Sequence, residues 1–372
     1  MPALETSAGQ RVLVTGANGF VALWVVRVLL EQGFTVRGTV RSESKGRHLD
    51  ELFGSYGDKF EWVVVEDIVK EGAFDEAVKG VHAIEHTAAP ISSTSDDPDG
   101  ESSFVRLSSN NVNNGLLEYL KPSVEGTLSI LRSALKFGTD IKRVVVTSSL
   151  AAVMRTVTEP PVIFDEDDWA DEFVDTLKRE GRKASEQVKY FASKTLAERA
   201  VFTFYDAHKS QINWDVATVL PPVVLGPTLQ DVKKSSDLTG SPNLWYQKVV
   251  KDQDDDPLNT TPFYPYVDVR DLAAAHVNAL TKEAAGGKRL LICAGSIGWQ
   301  DTRDIVYSLR PDLYESGVLP RGKPDSKTSI LWDYNGEKAK SILGLEYRDI
   351  KHIALDMITD FERRGWLSRD SV

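Results

Sequence analysis

What most restricts the fold of this chain is a rhythm near its N-terminus. A β-branched run at residues 11–15, Arg-Val-Leu-Val-Thr, ends in a glycine turn and passes into residues 20–32, whose apolar positions recur at helical spacing. The alternation repeats: residues 34–40 read as strand, 45–53 as helix, 60–65 as strand, 71–78 as helix and 81–87 as strand. Strand followed by helix, unit after unit, predicts a Rossmann-type α/β fold, a doubly wound parallel sheet with helices on both faces.

The rhythm continues with a helix over about 123–137, a strand over 143–147, a long helix over about 186–208 and a strand over 216–224 broken by Pro221-Pro222. Residues 91–114, rich in Ser, Asp and Asn, read as a long polar loop, a type that is functional or mobile. After Pro227 the alternation gives way to Gly, Pro and Asp clusters and short elements. We therefore expect a dinucleotide-binding domain over residues 1–220 and a smaller, irregular, mainly substrate-binding lobe over 221–372. Segments near 265–295, a helix over 267–280 and a strand over 289–293, are expected to return to the main sheet. A helix over 350–364 closes the chain.

With 41% hydrophobic residues in 372, there is enough apolar material for one large core and a lesser one. The single cysteine, Cys293, allows no intrachain disulfide, which fits a reducing compartment. No apolar run reaches the roughly 18 residues of a membrane span, and the first ten residues are too polar for a signal peptide; the expected location is cytoplasmic. A net charge of -11 argues against nucleic acid and anionic membranes as partners. Against that background Arg37, Arg41, Lys45 and Arg47 stand out as a local basic cluster, readable as an anion site or as a solvated loop.

The turn Thr15-Gly16-Ala17-Asn18-Gly19-Phe20-Val21-Ala22 lies at the first strand-helix junction, where a parallel sheet binds a dinucleotide. Gly16 permits the tight turn, and Gly19 lets backbone approach a pyrophosphate resting on the helix N-terminus. Gly16, Asn18, Gly19, Phe20 and Val21 are the candidate contacts. The second strand ends Val36-Arg-Gly-Thr-Val-Arg-Ser42, with no acid before Glu43 to accept from a ribose 2′-hydroxyl. A cation there pairs with a 2′-phosphate, so NADPH/NADP is favoured over NAD, with Arg41 the first candidate and Lys45 behind it. Asp67 and Ile68, after the third strand, are placed for adenine, although a turn acid is an equal reading of Asp67.

Four tyrosines carry a lysine four residues on: Tyr190/Lys194, Tyr205/Lys209, Tyr334/Lys338 and Tyr347/Lys351. Position separates them. Tyr190 and Lys194 share one face of the long helix, and Ser149 stands just past the strand at 143–147, whose carboxyl end faces the ligand crevice. An ammonium beside a phenol lowers its pKa from about 10 and makes it a better acid toward a carbonyl oxygen. A serine hydroxyl can hydrogen-bond that oxygen as it gains charge, and Lys194 can hold the nicotinamide ribose. Ser148 is expected to point elsewhere. Tyr205 lies about four turns further along, and Tyr334 and Tyr347 follow the last expected sheet strand.

Two patterns are set aside, and no metal site is expected. His82-Ala-Ile-Glu85-His86 matches His-x-x-Glu-His, but a strand separates i and i+4 by about 13 Å, too far to share a zinc with bonds near 2 Å. In the acidic run from Asp252 to Asp256, Pro257 and Phe263 occupy the positions where a calcium loop requires Gly and Glu.

Together these segments resemble the extended short-chain dehydrogenase/reductases, and within them the dihydroflavonol-reductase-like branch with its fungal carbonyl, aldehyde and methylglyoxal reductases. The likeness covers nearly the whole chain. It rests on the turn at 15–20, the strand at 36–41, Val65-Glu-Asp-Ile68, Lys121-Pro-Ser-Val-Glu-Gly-Thr127, Val146-Thr-Ser-Ser149, Asp165-Glu-Asp-Asp-Trp169, Tyr190-Phe-Ala-Ser-Lys194, Pro221-Pro-Val-Val-Leu-Gly-Pro227 and Val267-Asp-Val-Arg-Asp271. The resemblance implies NADPH-dependent reduction of an aldehyde or ketone by Ser149, Tyr190 and Lys194. It also implies Arg41 at the 2′-phosphate, Asp67 and Ile68 at adenine, Thr87, Ala88 and Ala89 by the ribose, Thr147 among the cofactor contacts, and Pro221 to Val223 at the nicotinamide amide. Leu220 and Ser123 stand where the family commonly has Asn. A small-molecule carbonyl substrate and a monomer or homodimer are expected; the rival readings are a nucleotide-sugar epimerase or dehydratase and a non-catalytic NADPH-sensing regulator.

Overall fold

A computed structural model describes residues 4, 9–89, 115–251, 261–324, 326 and 328–367, with backbone alone for 115–122 and 182. The expected loop at 91–114 and the acidic run at 252–256 lie outside the described residues. Seven parallel strands form the main sheet: β1 (Arg11–Thr15), β2 (Thr35–Val40), β3 (Phe60–Val64), β4 (Ala83–His86), β5 (Arg143–Thr147), β7 (Asp215–Leu220) and β10 (Arg289–Leu291). Their spatial order is β10-β7-β5-β4-β1-β2-β3. Successive strands run outward from β1 toward β3, and the chain then crosses to β4 and proceeds the other way. The reversal between β1 and β4 opens a crevice at their carboxyl ends, the place where such sheets bind ligands.

Helices α1 (Phe20–Glu31), α2 (Glu43–Phe53), α3 (Gly115–Phe137), α4 (Asp171–Glu180), α5 (Glu186–His208) and α7 (Val269–Thr281) belong to this part of the chain. One core packs α1 and α7 against one face of the sheet through residues such as Leu23, Val26, Val145, Leu272 and Val277. Another fills the opposite face with Ile130, Leu131, Val144, Val201 and Phe204. Both faces are covered, which is why the central strands β1, β4, β5 and β7 are buried along nearly their whole length rather than on alternate residues.

A separate apolar cluster joins Leu244, Trp245, Tyr264, Trp299, Met357 and Phe361. It contains α6 (Gly240–Trp245), α8 (Trp299–Leu309), α9 (Pro311–Glu315) and α11 (Ile350–Arg363), beside a three-stranded sheet of β8 (Val223–Leu225), β9 (Phe263–Asp268) and β11 (Gly295–Gly298). Helix α7 packs in the main core and β10 pairs with β7. Outside the segments expected to return, α10 (Glu337–Leu343) also adds Ala339 and Leu343 to that core.

Four expectations change. The helix expected at 71–78 is a chain of turns; Gly72, at φ 72, interrupts the helical path even though Phe74, Ala77 and Val78 keep the apolar spacing and are buried. The strand expected at 216–224 divides into β7 and β8 in different sheets, since Pro221 and Pro222 supply no ladder N–H. Helix α3 starts earlier than Ser123, running through Pro122 from Gly115. Tyr334 ends a strand, β12 (Trp332–Tyr334), paired in parallel with β6 (Val162–Phe164).

Candidate active site

The glycine turn has the geometry of a backbone cradle. Gly16 sits at φ 64, and a Cβ there would lie 3.1 Å from Ala88 Cα, so the turn closes against the chain leaving β4. Its N–H donates to Thr39 Oγ1 at 3.2 Å, and the N–H of Ala17 donates to Thr39 O at 2.8 Å, which ties the turn to β2. Gly19 caps α1 without a side-chain hydrogen bond, so the first amides of that helix stay open to a ligand at the crevice. Phe20 and Val21 form the first turn and pack against the core. The Asn18 carbonyl accepts from Gln230 Nε2 at 3.5 Å.

At the end of β2, Arg41 is exposed, and among the described residues no side chain pairs with it. Lys45 stands one turn into α2, also exposed. Arg37 is different. Read from sequence as an anion candidate or a solvated strand residue, it is neither: it pairs with Glu61 at 2.8 Å and donates to the carbonyls of Ala77 and Lys79, bracing the turns after β3. Asp67 accepts from the Val69 N–H at 3.0 Å, the turn role weighed for it, while remaining exposed. Ile68 packs over Gly126 of α3, where a Cβ would come within 3.0 Å of its Cδ1.

Ser149 follows β5 and caps a single helical turn at Leu150–Ala152, its Oγ accepting from the Ala151 N–H at 3.1 Å. That leaves its own hydrogen free to donate. The Leu150 N–H donates to Pro221 O at 3.0 Å, binding the serine turn to the Pro-Pro segment, and Val223 opens β8 opposite Tyr266. Ser148 points away and donates to the buried Glu198 at 2.8 Å. Thr147 Oγ1 lies 3.2 Å from His276 Nε2, whose Nδ1 lies 2.8 Å from Glu85. Burial raises the Glu85 carboxyl above its usual range, partly opposed by His276.

Helix α5 begins at a Ser185 cap, the hydroxyl accepting from the Val188 N–H, and packs against the turn that Ser149 opens. Tyr190 and Lys194 are both half-buried, with Lys194 Nζ 5.9 Å from the Tyr190 ring centre. Lys194 lines a cavity with Ala88, Ala89, Ser123, Thr147 and Ser148. Ala88, which closes on the glycine turn, thus shares a cavity with the end of β5 and with Lys194 of α5. The three rival pairs are placed differently. Lys209 pairs with Asp206 and Lys338 with Asp167, while Tyr347 precedes α11 and shares no helix face with Lys351.

His82, Glu85 and His86 point to separate partners: His82 Nδ1 takes the Arg11 N–H at 3.0 Å, Glu85 faces His276, and His86 Nδ1 meets Thr15 Oγ1 at 2.9 Å. Among the described residues no group of His, Cys, Asp or Glu is arranged to hold a metal, and no helix is long and apolar enough to cross a membrane.

Sequence reading missed Glu198, which is four residues beyond Lys194 on the same face of α5. It is buried and accepts from Ser148, Thr218 and Arg289, fixing α5 to β7, β10 and the end of β5. The run Tyr190, Lys194, Glu198 at fourfold spacing was the available signal. Also missed was a strap at 227–230: Pro227 O accepts from Trp24, Leu229 O from His48, and Gln230 donates to Asn18.

The model of the NAD dependent epimerase/dehydratase family matches residues 12–293. A ketoreductase of Aspergillus niger is 31% identical over 362 residues, 95% of this chain and 98% of its own. The NADPH-dependent methylglyoxal reductase of Saccharomyces cerevisiae is 31% identical over 366 residues, 95% of this chain and 99% of its own. The crystal structure of yeast methylglyoxal/isovaleraldehyde reductase complexed with NADPH superposes with a TM-score of 0.77 at 28% identity, covering 96% of this chain and 99% of that one.

Proposed function

The chain belongs to the NAD dependent epimerase/dehydratase family, and we propose that within it this protein is an NADPH-dependent reductase of aldehydes or ketones. What supports this reading is the placement of Ser149 just past β5, of Tyr190 and Lys194 one turn apart on α5, which packs against the turn Ser149 opens, and of Arg41 at the end of β2, exposed and with no side-chain partner among the described residues. The relatives compared above are reductases, two of them named for or complexed with NADPH.

The residues fit the cofactor. The open amides of α1 and the close turn at Gly16 suit a pyrophosphate, and Arg41 with Lys45 suits a 2′-phosphate. When bound, NADPH supplies the hydride. Thr87, Ala88 and Ala89, next to the glycine turn, would meet the ribose, Asp67 and Ile68 the adenine, and Thr147, Pro221 and Val223 the nicotinamide. Lys194 would hold the ribose hydroxyls, keeping its ammonium beside Tyr190. Tyr190 gives its proton to the carbonyl oxygen while the Ser149 hydroxyl donates a hydrogen bond to the same oxygen, stabilising charge as it develops. Residues 1–220, with the returning segments, serve the cofactor, and the cluster built on α6, α8 and α11 forms the substrate side. The site lies within one protomer, so monomer or homodimer serves equally.

The test is loss of NADPH absorbance with a panel of aldehydes and ketones. Turnover supports the reading. Tight NADPH binding with no turnover on any carbonyl sinks it in favour of a sensor, and turnover confined to nucleotide sugars favours an epimerase or dehydratase.

A further inference from the structure

The ring of His86 is buried at the carboxyl end of β4, 2% exposed, on the sheet face opposite Glu85. One side of it is accounted for. Nδ1 lies 2.9 Å from Thr15 Oγ1, which also takes the Ala88 N–H at 3.1 Å, so the ring is held by the last residue before the glycine turn. The edge of Phe74 packs against it at 6.3 Å between ring centres. Nε2 is buried and, among the described residues, meets no hydrogen-bond partner. A buried polar atom left so costs about 1–3 kcal/mol and calls for an explanation.

His86 lines the same cavity as Lys194, Ser123 and Thr127. That cavity gives about 20 Å³ to a water-sized sphere, and one water needs roughly 10–15 Å³ and two or more polar partners. Nε2, the Lys194 ammonium and the Ser123 hydroxyl are such partners. Protonation of the ring is disfavoured by burial and then by Lys194, which lowers the His86 pKa to about 4. The ring therefore stays neutral near pH 7 and can face an ammonium without repulsion.

We propose that His86 is a positioning residue of the candidate site: its Nε2 anchors one buried water that holds the Lys194 ammonium in register with Tyr190, linking the glycine turn through Thr15 to the catalytic helix. The role rests on the proposed reductase reading, in which Lys194 acts on Tyr190. Glu198 lines the same cavity, but its oxygens are taken by Ser148, Thr218 and Arg289, and Glu85 faces away toward His276. Among the described residues no other charged group lines it.

Two experiments test this. A high-resolution crystal structure with NADP should show one water within hydrogen-bond distance of Nε2 and of Lys194; a dry or apolar-filled cavity overturns the proposal whether or not the enzyme turns over. In the alcohol-oxidation direction, His86→Leu should move the rising limb of the pH-rate profile up by about half a unit or more, because the Lys194 ammonium leaves its register beside the proton-transferring group. His86→Gln, keeping a polar end, should recover most of the shift, and NADP affinity should change less than threefold in both. A uniform loss of rate at every pH, with no shift in either variant, overturns the role while leaving the reductase reading intact.

Discussion

Replacing Arg41 by Ala probes cofactor choice at a single exposed side chain. The guanidinium stands at the end of β2 with no carboxylate among the described residues to compete for it, so a 2′-phosphate meets an available cation. A charge-assisted hydrogen bond contributes about 1.5–3 kcal/mol. Arg41 is exposed, so solvent and salt screen it, and the lower part of that range applies. At 1.4 kcal/mol per tenfold, NADPH affinity should fall about 10- to 50-fold. NADH, which lacks the phosphate, should change less than twofold. Titrating each cofactor by fluorescence at low and high ionic strength gives both numbers, and the wild-type preference should shrink with added salt while that of the variant should not. An unchanged NADPH/NADH ratio in Arg41→Ala refutes the reasoning and moves phosphate recognition to Lys45, since Arg37 is engaged with Glu61.

Three further outcomes follow from the same physics. Gly16→Val forces a branched side chain into a left-handed backbone position and toward Ala88 at 3.1 Å, so NADPH affinity should fall at least tenfold by direct titration, and wild-type affinity would contradict the cradle. The folded His86 pKa, near 4, lies below the free value of 6.5, so the unfolded chain binds the extra proton; its contribution to stability is full above about pH 6.5 and is lost as pH falls toward 4. Urea unfolding of wild type should therefore weaken over that window by about 1.4 kcal/mol per unit at most, and more steeply than in His86→Gln; parallel curves contradict it. Asp215→Ala strands the buried Arg143, which it holds by two bonds of 2.5 and 2.9 Å, and should cost about 3–5 kcal/mol in unfolding experiments. Because that pair lies at the opposite strand ends from Ser149, kcat of the folded variant should stay within about twofold of wild type.

The parallel sheet was legible because its signal is local: β-branched runs and helical spacing repeat from Val12 to Leu225, and Gly16 marks the first junction. The placement of Tyr190 and Lys194 on one helix and of Ser149 just past a strand end was legible because helix spacing and strand ends obey simple geometry. What escaped depends on distant partners. Arg37 reads as a free cation until Glu61 and the turns at 77–79 fold beside it. Residues 71–78 keep a helical apolar pattern, yet Gly72 turns the backbone away. Tyr334 belongs to a strand only because Phe164, far away in sequence, pairs with it. His86 looked like half of a false zinc motif, and nothing local indicates that its ring spans Thr15 and the cavity beside Lys194.

The most direct test of the account is the fate of a labelled hydride. NADPH carrying deuterium at the transferable C4 position, incubated with the best carbonyl of the panel, should give an alcohol with deuterium at the carbinol carbon. Tyr190→Phe, binding NADPH within about threefold of wild type, should give none above background. Label missing from the wild-type product, or transferred by Tyr190→Phe at half the wild-type rate, would contradict the claim that this crevice passes a hydride and Tyr190 supplies the proton.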